Sequence, residues 1–445
     1  MKLLLTHAYF IREDDKEQNI VKPYAPLGIL YLSSHLRSKG YEVDIYDSTF
    51  GSKEELFRLL GDGAPGALGV YANLMTRENA VAIARHAREC GWTVILGGPE
   101  PANYPEQYLA HGADVVVAGE GELALEALLR TDCKPEHWPS INGIFFRTTE
   151  GKVVKTSPGP LLPNLDEQPW PDRERIALEK YLEAWRTRHG SGSVSLITAR
   201  GCPYHCNWCS HSVYGQTHRR RSPKSVVDEV EWILERYQPE MLWLADDVFT
   251  IHHGWLFEYA KEMGARGLAT PFECITRADR LNERVVDTLA ELKCFRVWIG
   301  SESGSQRILN SMQRGVTVEQ VQRAVALCKT RGIQTGMFLM WGYEGEEIED
   351  VEATVDHVKA CRPDVFFTTV SYPIKGTPYF ERVSDRLVRI EDWARSTDRD
   401  LKIRGRHSRE FYRNADRLLK SEMSGADDIQ IARAALHGSA LQVEV

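Results

Sequence analysis

Short apolar segments alternate with amphipathic segments along the first 130 residues of this 445-residue chain. In the amphipathic segments the apolar residues recur every three or four positions, as they do on the buried face of a helix. Alternating strands and helices form an open parallel sheet with helices on both faces, so a doubly wound, flavodoxin-like domain is predicted. The predicted strands are Lys2–Thr6, Glu42–Tyr46, Ala67–Tyr71, Thr93–Leu96 and Asp114–Ala118.

A second alternation begins near residue 190 and contains six strand–helix units. Six such units predict a partial (βα)6 barrel, an incomplete relative of the eight-fold barrel, with its chemistry at the carboxyl ends of the strands. The predicted strands are Val194–Ala199, Glu240–Leu244, Pro271–Ile275, Arg296–Ile299, Gly336–Met340 and Val365–Ser371.

The segment between the two alternations differs in character. Residues 142–155 are predicted to form a hairpin, and five prolines follow within residues 158–171. Such a segment is expected to be an extended connector that is ordered only by docking. The chain is therefore predicted to be an α/β protein with four parts: a sheet domain (1–137), a hairpin and proline-rich connector (138–189), the barrel (190–380) and a short helical C-terminal region (381–445).

The composition argues against several classes of protein. Lys and Arg number 55 against 63 Asp and Glu, and the net charge of -8 disfavours a general nucleic-acid-binding protein. No window approaches the ~18 consecutive apolar residues of a membrane span, and the N-terminus predicts an opening strand rather than a signal peptide. Nine cysteines are an odd number and poor material for a disulfide framework, which favours the cytoplasm.

Three of the nine cysteines lie within eight positions, in the sequence ARGCPYHCNWCSH. Cys202, Cys206 and Cys209 follow a predicted strand, and three thiolates on one loop can hold three irons of a cubane cluster and leave the fourth iron open. The alternatives are three free thiols or a zinc site completed by His205 or His211. Zinc sites usually use paired CxxC knuckles, and no second pair exists here.

The CxxxCxxC spacing, with the aromatic Trp208 before the last cysteine, resembles the signature of the radical S-adenosylmethionine (radical SAM) superfamily. Three further segments resemble, in order, the motifs that cradle SAM in members with an N-terminal cobalamin-binding domain. They are LADDVFT (Leu244–Thr250), TRADRL (Thr276–Leu281) and IGSESGS (Ile299–Ser305).

The resemblance implies a set of SAM-binding residues. Glu302, with its neighbours, would accept the ribose hydroxyls, and the fork of Arg277 would hold the SAM carboxylate. The alternatives are a helix N-cap for the aspartate pair, a surface salt bridge for Glu302 and simple packing for Tyr204. The full set is Tyr204, Trp208, Asp246, Asp247, Arg277, Ser301, Glu302 and Ser303, and the catalytic residues proper are not predicted.

The N-terminal sheet resembles the cobalamin-binding domain of the same subgroup, through APLGILYLSSHLRSKGYEV, TVILGGPEP and ADVVVAGEGE. Glycines at strand ends let a bulky corrin approach the backbone. The DxHxxG motif is absent, so the lower face of cobalt would carry water, a side chain or nothing. The alternative is a flavodoxin-like domain that binds no corrin. The implied residues are Tyr71, Asn73, Gly97, Gly98, Glu100, Gly119, Glu120 and Gly121.

The resemblance implies an enzyme with a 4Fe–4S cluster, SAM and cobalamin. The expected activity is C-methylation of an unactivated carbon in a small-molecule or lipid intermediate, through a 5′-deoxyadenosyl radical and methylcobalamin. The alternatives are a cobalamin-dependent radical cyclase or rearrangement enzyme, a tRNA methylthiotransferase and a non-catalytic cobalamin sensor. The expected partner is an electron donor such as flavodoxin or ferredoxin, with neither nucleic acid nor a membrane span.

Overall fold

The computed structural model describes residues 1–388 and 391–440, and its first sheet has the strand order β2–β1–β3–β4–β5–β6–β7. The first five strands are parallel and follow the flavodoxin-like order, which reverses between β1 and β3. Ligands of such sheets bind at that reversal, beyond the carboxyl ends of the strands. The strands are β1 (Leu3–His7), β2 (Val43–Tyr46), β3 (Ala67–Tyr71), β4 (Thr93–Gly97), β5 (Val115–Val117), β6 (Ile144–Arg147) and β7 (Val153–Lys155).

Helices cover both faces of this sheet, as the periodicity predicted. Two buried clusters, one on each face, hold alternate residues of the same strand, for example Leu4 on one side and Leu5 on the other. Ser52 begins one helix with a capping box to Glu55. The helices are α1 (Asp15–Ile20), α2 (Leu27–Ser38), α3 (Lys53–Asp62), α4 (Arg77–Glu89), α5 (Pro105–Ala110) and α6 (Glu122–Arg130).

The predicted hairpin forms, and it belongs to the first sheet. Strand β6 pairs antiparallel with β5 and then with β7. Adjacent aromatic residues explain the docking, because Phe145 is buried in the cluster on one face and Phe146 in the cluster on the other. A hairpin with two apolar faces is stable only inside a larger sheet.

The proline-rich connector contains a helix, α7 (Leu178–His189), which the sequence analysis did not predict. Its Tyr181 hydroxyl donates to Asp47 at 2.9 Å, and its Trp185 indole donates to the carbonyl of Pro23 at 2.8 Å. The helix therefore packs between the two halves of the chain and ties the connector to the first sheet.

The second sheet has six parallel strands in sequential order from β8 to β15. Sequential order with right-handed crossovers puts every helix on one face, which leaves the other face concave, as in an open barrel. The strands are β8 (Ser193–Leu196), β11 (Met241–Leu244), β12 (Phe272–Thr276), β13 (Cys294–Glu302), β14 (Gln334–Trp341) and β15 (Val365–Val370), with the short pair β9 (Ala199–Arg200) and β10 (Arg219–Arg220) after β8.

The helices of this half pack against the outer face of the sheet in one large buried cluster. The last two helices of the chain join the same cluster, in agreement with the predicted helical C-terminal region, of which residues 389–390 and 441–445 lie outside the described part. Among the described residues no helix is long and apolar enough to cross a bilayer. The helices are α8 (Pro223–Tyr237), α9 (His253–Ala265), α10 (Glu283–Glu291), α11 (Gln306–Ser311), α12 (Val318–Thr330), α13 (Ile348–Cys361), α14 (Pro378–Val383), α15 (Arg409–Ser424) and α16 (Ile429–Ser439).

The segment between α14 and α15, which includes the short strand pair β16 (Leu387–Val388) and β17 (Lys402–Ile403), reaches back to the first sheet. Asp398 accepts hydrogen bonds from Arg77 Nη2 at 3.1 Å and from the Tyr104 hydroxyl at 2.5 Å. The Arg77 guanidinium also lies 4.7 Å from the ring centroids of both Tyr104 and Trp393. All three polar groups are buried, so the ion pair between Arg77 and Asp398 links the segment between α14 and α15 to the first sheet domain.

Asp398→Ala is expected to lower the free energy of unfolding by about 3–5 kcal/mol, because it leaves the Arg77 charge buried without one of its partners. Urea denaturation followed by circular dichroism measures the change. Asp385→Asn, in an exposed position of the same segment, is the control and should leave the midpoint unchanged. Equal stability of the two variants would contradict the assigned role of Asp398.

Candidate active site between the two sheets

The carboxyl ends of the first sheet and of strands β8 and β11 of the second face one cavity of about 1230 Å³. Strands β1, β3, β4 and β5 contribute their ends from one side, and the loop after β9 contributes residues 210–215 from the other. The reversal point of the first sheet, between His7 and Tyr71, lies on the cavity wall. The ligand-binding edge of the first sheet and the loop that follows the cysteines therefore share one space. The three cysteines, Arg277 and Glu302 are not among the residues that line it.

Seven of the eight residues predicted for cobalamin line this cavity. Gly98 must be glycine on backbone grounds, because its φ is +113° and an added Cβ would lie 2.3 Å from the carbonyl oxygen of Ala72. Gly97 is different: the nearest atom to an added Cβ lies 3.9 Å away. The chain itself leaves room for a side chain at Gly97, so a bulky ligand would be the reason for a glycine there. The seven residues are Tyr71, Asn73, Gly97, Gly98, Gly119, Glu120 and Gly121.

Glu100, the eighth predicted residue, is not among the cavity-lining residues. It is buried, and its carboxylate accepts hydrogen bonds from Arg77 and from the Tyr108 hydroxyl. Glu120 lines the cavity, yet its carboxylate is engaged across the two halves by Arg200 Nη1 at 3.0 Å and Arg219 Nη2 at 2.8 Å. Both glutamates therefore have a structural role, through hydrogen bonds and ion pairs that the sequence motif alone did not reveal.

The three clustered cysteines lie on the loop after β9. Gly201 begins the loop with φ +86°, and an added Cβ would lie 2.4 Å from the Thr217 carbonyl oxygen. Only glycine fits at this position. Cys206 is buried, while Cys202 and Cys209 are half-buried. No three His, Cys, Asp or Glu side chains in the described part of the chain could share one metal ion. The ligands of a cubane cluster bind different irons, so this spacing is compatible with a cluster.

Positive charge surrounds Cys206. Arg314 Nη1 lies 3.9 Å from its Sγ, and a hydrogen bond from the Cys209 thiol, followed by the charges of Arg314 and Arg277, lowers the pKa of Cys206 to about 6. The same hydrogen bond raises the pKa of Cys209. A metal binds the thiolate rather than the thiol, so the two arginines are the neighbours that favour the ligating form.

Glu302 ends β13 in a left-handed conformation, with φ +61°, at an irregularity in the pairing with β14. Such a backbone is costly for a residue other than glycine and marks functional sites. Its nearest charged partner is Arg314, whose Nε lies 3.7 Å from Oε1, and burial raises the pKa of Glu302 to about 7. The carboxyl group is thus held near the cysteine loop, beside Arg314.

Ser301 and Ser303 are turned toward helix α13. The Ser301 hydroxyl lies 3.0 Å from His357 Nε2, and the Ser303 hydroxyl lies 3.1 Å from Thr354 Oγ1. Both serines are completely buried. They fix the loop that carries Glu302, whereas the sequence analysis expected them to contact the ribose with it.

The two adjacent aspartates have different environments. Asp246 is buried, and its carboxylate accepts hydrogen bonds from the amides of Thr198 and Ala199 and from Arg220 Nη2, at 2.7, 3.0 and 3.0 Å. Asp247 lines the cavity, and burial together with the charge of Asp246 raises its pKa. Within the described part of the chain no hydrogen bond engages the Asp247 carboxylate, whereas Asp246 ties the end of β11 to the strand that precedes the cysteine loop.

Arg277 lies beneath the cysteine loop with its guanidinium carbon 3.7 Å from the ring centroid of Tyr204. Its Nη2 donates to the carbonyl of Arg314 at 3.0 Å, while Nη1 is buried and has no hydrogen-bond partner within the described residues. A buried N–H group without a partner is costly and points to a missing acceptor. Tyr204 accepts from Arg280, and Trp208 packs against Tyr343, so both aromatic residues support the loop.

Arg314 is the site residue that the sequence analysis missed. It follows α11, twelve positions after Glu302, in a segment with no motif of its own. Only the folded chain brings it to Cys206 and Glu302, and its Nη2 also donates to the Gly300 carbonyl at 2.9 Å. His211, considered as a metal ligand, lines the cavity instead, with a buried Nε2 that has no partner among the described residues.

Comparison with known proteins agrees with both halves of this architecture. Residues 196–358 match the family model of the radical SAM superfamily, and residues 18–129 match that of the B12 binding domain. The structure of the radical S-adenosylmethionine methyltransferase TsrM from Kitasatospora setae, with cobalamin and a [4Fe-4S] cluster bound, superimposes with a TM-score of 0.73. It is 22% identical in sequence and covers 86% of this chain and 78% of its own.

Two proteins with sequences similar to this chain are named for different reactions. A protein named as an uncharacterized methyltransferase from Pyrococcus horikoshii is 29% identical over 86% of this chain and 83% of its own length. The anaerobic magnesium-protoporphyrin IX monomethyl ester cyclase of Rubrivivax gelatinosus is 26% identical over 82% of this chain and 67% of its own.

The two family models, together with the fold, indicate a radical SAM enzyme that uses cobalamin. The chain carries a domain that matches the B12 binding domain in front of one that matches the radical SAM superfamily. The cofactors of this class, a 4Fe–4S cluster, SAM and cobalamin, are those that the sequence analysis expected.

Cys206→Ala is expected to lose the cluster, because one iron loses its thiolate. Anaerobic reconstitution of the unaltered chain should give about four irons and the brown absorbance of a cluster. The matched control is Cys90→Ala, which replaces a half-buried cysteine at the end of α4. This variant should bind as much iron as the unaltered chain. Full iron content in Cys206→Ala would rule out the assigned ligand.

Gly97→Leu is expected to weaken cobalamin binding about tenfold or more and to leave the melting temperature nearly unchanged, because the added side chain enters open cavity space. Equilibrium dialysis against hydroxocobalamin measures the affinity. Gly264→Leu, at another open glycine on α9, should bind normally. If Gly97→Leu bound hydroxocobalamin with normal affinity, the end of β4 would not be part of the cobalamin site.

Proposed function

We propose that this enzyme is a C-methyltransferase that acts on an unactivated carbon of a small-molecule or lipid intermediate. The observation that carries the proposal is the single cavity onto which the predicted cobalamin residues and the loop after the cysteines both open. A methyl donor on the corrin and a radical generated from SAM must reach the same substrate carbon, which requires such a shared space.

The charged groups around Cys206 suit the polar parts of SAM. Arg314 and the unpartnered Nη1 of Arg277 are donors for the SAM carboxylate. Glu302 is a ribose acceptor, held by its strained backbone and by the bonds of its neighbouring serines to α13. Asp247 is the carboxylate available for the α-amino group. When bound, the three cofactors supply the electron, the radical and the methyl group.

Enclosing the site is the second task of the protein, since a closed site keeps reactive intermediates from side reactions. Arg200 is buried where the two sheets meet, pairs with Glu120 and Glu122, and stacks on Tyr31 and Tyr214 at 5.1 and 5.6 Å. This cluster seals one wall of the cavity between the two halves.

A cobalamin-dependent cyclisation or rearrangement is the second candidate, because one of the similar proteins is named as a cyclase. A cyclase could use the same cavity, and the two reactions differ in whether the methyl group of SAM is transferred to the product. A tRNA methylthiotransferase would need three further cysteines for a second cluster, and the N-terminal half offers Cys90 and Cys133.

A radical SAM enzyme requires a one-electron reductant, and we infer a flavodoxin or ferredoxin for this role. All nine cysteines lie among the described residues, and none of them forms a disulfide. Cysteines without disulfides and an oxygen-sensitive cluster suit a reducing compartment, so we assign the enzyme to the cytoplasm.

The two candidates predict different products from SAM labelled in its methyl group. With reconstituted enzyme, cobalamin, reductant and an extract of small molecules and lipids as substrate source, methylation should move label into a product and consume two SAM per turnover. Cyclisation should leave all label in SAM or methionine. The Cys206→Ala chain is the control for background transfer, and product formation without label would overturn the methyltransferase proposal.

A further inference from the structure

The second half of the chain contains a basic segment that the cofactor sites do not use. The whole chain has a net charge of -8, yet residues 402–413, KIRGRHSREFYR, contain five lysine and arginine residues and a single acid. The first part of this segment forms β17, which pairs antiparallel with β16. Positive charge concentrated on one part of an acidic protein attracts negatively charged partners to that part.

The strand pair β16–β17, which we call the basic ribbon, has one apolar face and one charged face. Leu387 lies directly opposite Ile403, which is buried in an apolar cluster against which Leu387 packs. Because neighbouring residues of a strand point to opposite faces, Lys402 and Arg404 point away from that cluster, and both are exposed. The amide of Arg404 donates to the carbonyl of Arg386 at 3.0 Å, so these two arginines also lie opposite each other.

The acids around the basic ribbon leave part of its positive charge unpaired. Like charges opposite each other on a strand pair are destabilising, so the Arg386–Arg404 pair has a cost. The Glu344 carboxylate compensates one side of it, because it lies 2.5 Å from Arg386 Nη2 and 3.7 Å from Arg382 Nε. Arg404 donates to a backbone carbonyl at 3.4 Å. Within the described part of the chain neither Arg404 nor Lys402 has a carboxylate partner, so two exposed cations remain for an anionic partner.

The basic ribbon lies one layer of side chains away from the cysteine loop. Trp208 of that loop packs against the same apolar cluster as the ribbon, with its ring centroid 6.4 Å from that of Tyr343. The amide of Tyr379, another member of the cluster, donates to the carbonyl of Asn207 at 3.0 Å. Packed layers are usually about 10 Å apart. Electron transfer slows steeply with distance, so a carrier bound on the ribbon would be close to a cluster held by the loop.

We propose that the basic ribbon is the docking surface for an acidic one-electron carrier. This inference rests on the proposed function for the need of a reductant, and it adds the place where that partner binds. The metal centre of the carrier loses one electron, and a [4Fe–4S]²⁺ cluster gains it and becomes [4Fe–4S]⁺, so no bond forms or breaks and no proton moves. Complementary charge steers the carrier to this face and sets its orientation, which mainly speeds association.

Association of an acidic plant-type [2Fe–2S] ferredoxin with the full chain, loaded with cluster and cobalamin, tests the proposal without turnover. Surface plasmon resonance measures the association rate constant. We expect Lys402→Glu combined with Arg404→Glu to lower it about tenfold or more at ~0.05 M salt, because like charges then meet at the interface. The difference should shrink at ~0.5 M salt, where exposed charges are screened.

Two control variants separate the position of the charge from the total charge. Arg323→Glu reverses an exposed charge on α12 of the same half and should associate like the unaltered chain. Arg404→Lys keeps the charge on the basic ribbon and should do the same. Equal association of the unaltered chain and the doubly reversed variant at ~0.05 M salt would overturn the proposal.

Two further outcomes would also overturn the assignment. Dithionite is a small reductant that needs no docking surface, so at ~0.5 M salt it should reduce the doubly reversed variant as fast as the unaltered chain. Slower reduction would assign the two residues to the cluster itself. If unfractionated tRNA at equal concentration displaces the ferredoxin, the ribbon is a nucleic-acid surface. Because association requires no product, ribbon-dependent association with a negative labelling experiment would reject the methyltransferase proposal and keep this surface.

Discussion

The buried ion cluster around Arg200 is the interaction on which the rest of the site depends. Arg200 Nη2 lies 2.7 Å from Glu122, and Arg200 and Arg219 together hold Glu120, so charges from the second half are neutralised by charges from the first. A buried charge that lost its partner would be costly. This pairing therefore keeps the carboxyl ends of the two sheets facing each other, and the cavity exists because they do.

Around that cavity the polar side chains divide into those that build the site and those left free. Asp246, Ser301, Ser303 and Glu100 have their hydrogen-bonding capacity used by neighbouring helices and strands. Among the residues that the structure describes, Asp247 and the Nη1 of Arg277 accept or donate no hydrogen bond, and Glu302 has an ion contact with Arg314 at 3.7 Å. These groups lie at or just after the carboxyl ends of strands, where the folded backbone fixes their positions before a ligand binds. Such preorganised polar groups are what stabilises charge in an active site.

Much of the fold follows from local pattern. The predicted strand bounds of both alternations agree with the structure to within a few residues, because the periodicity of a strand can be recognised from neighbouring residues alone. Helix α7 and the docking of the hairpin were missed for the opposite reason. Tyr181, Trp185, Phe145 and Phe146 are buried by residues far away in the sequence, and prolines nearby suggested an extended chain.

The sequence by itself determined the class of the protein: the three cysteines at CxxxCxxC spacing, the motifs after the strands and the two alternations each need only short stretches of chain. Only the tertiary structure decided which members of those motifs are available to ligands. It separated Asp246 from Asp247 and brought Arg314 beside Cys206 and Glu302. The reason is physical: a motif specifies residue types along the chain, while hydrogen-bond saturation, burial and charge pairing depend on partners that the chain brings together only when it folds.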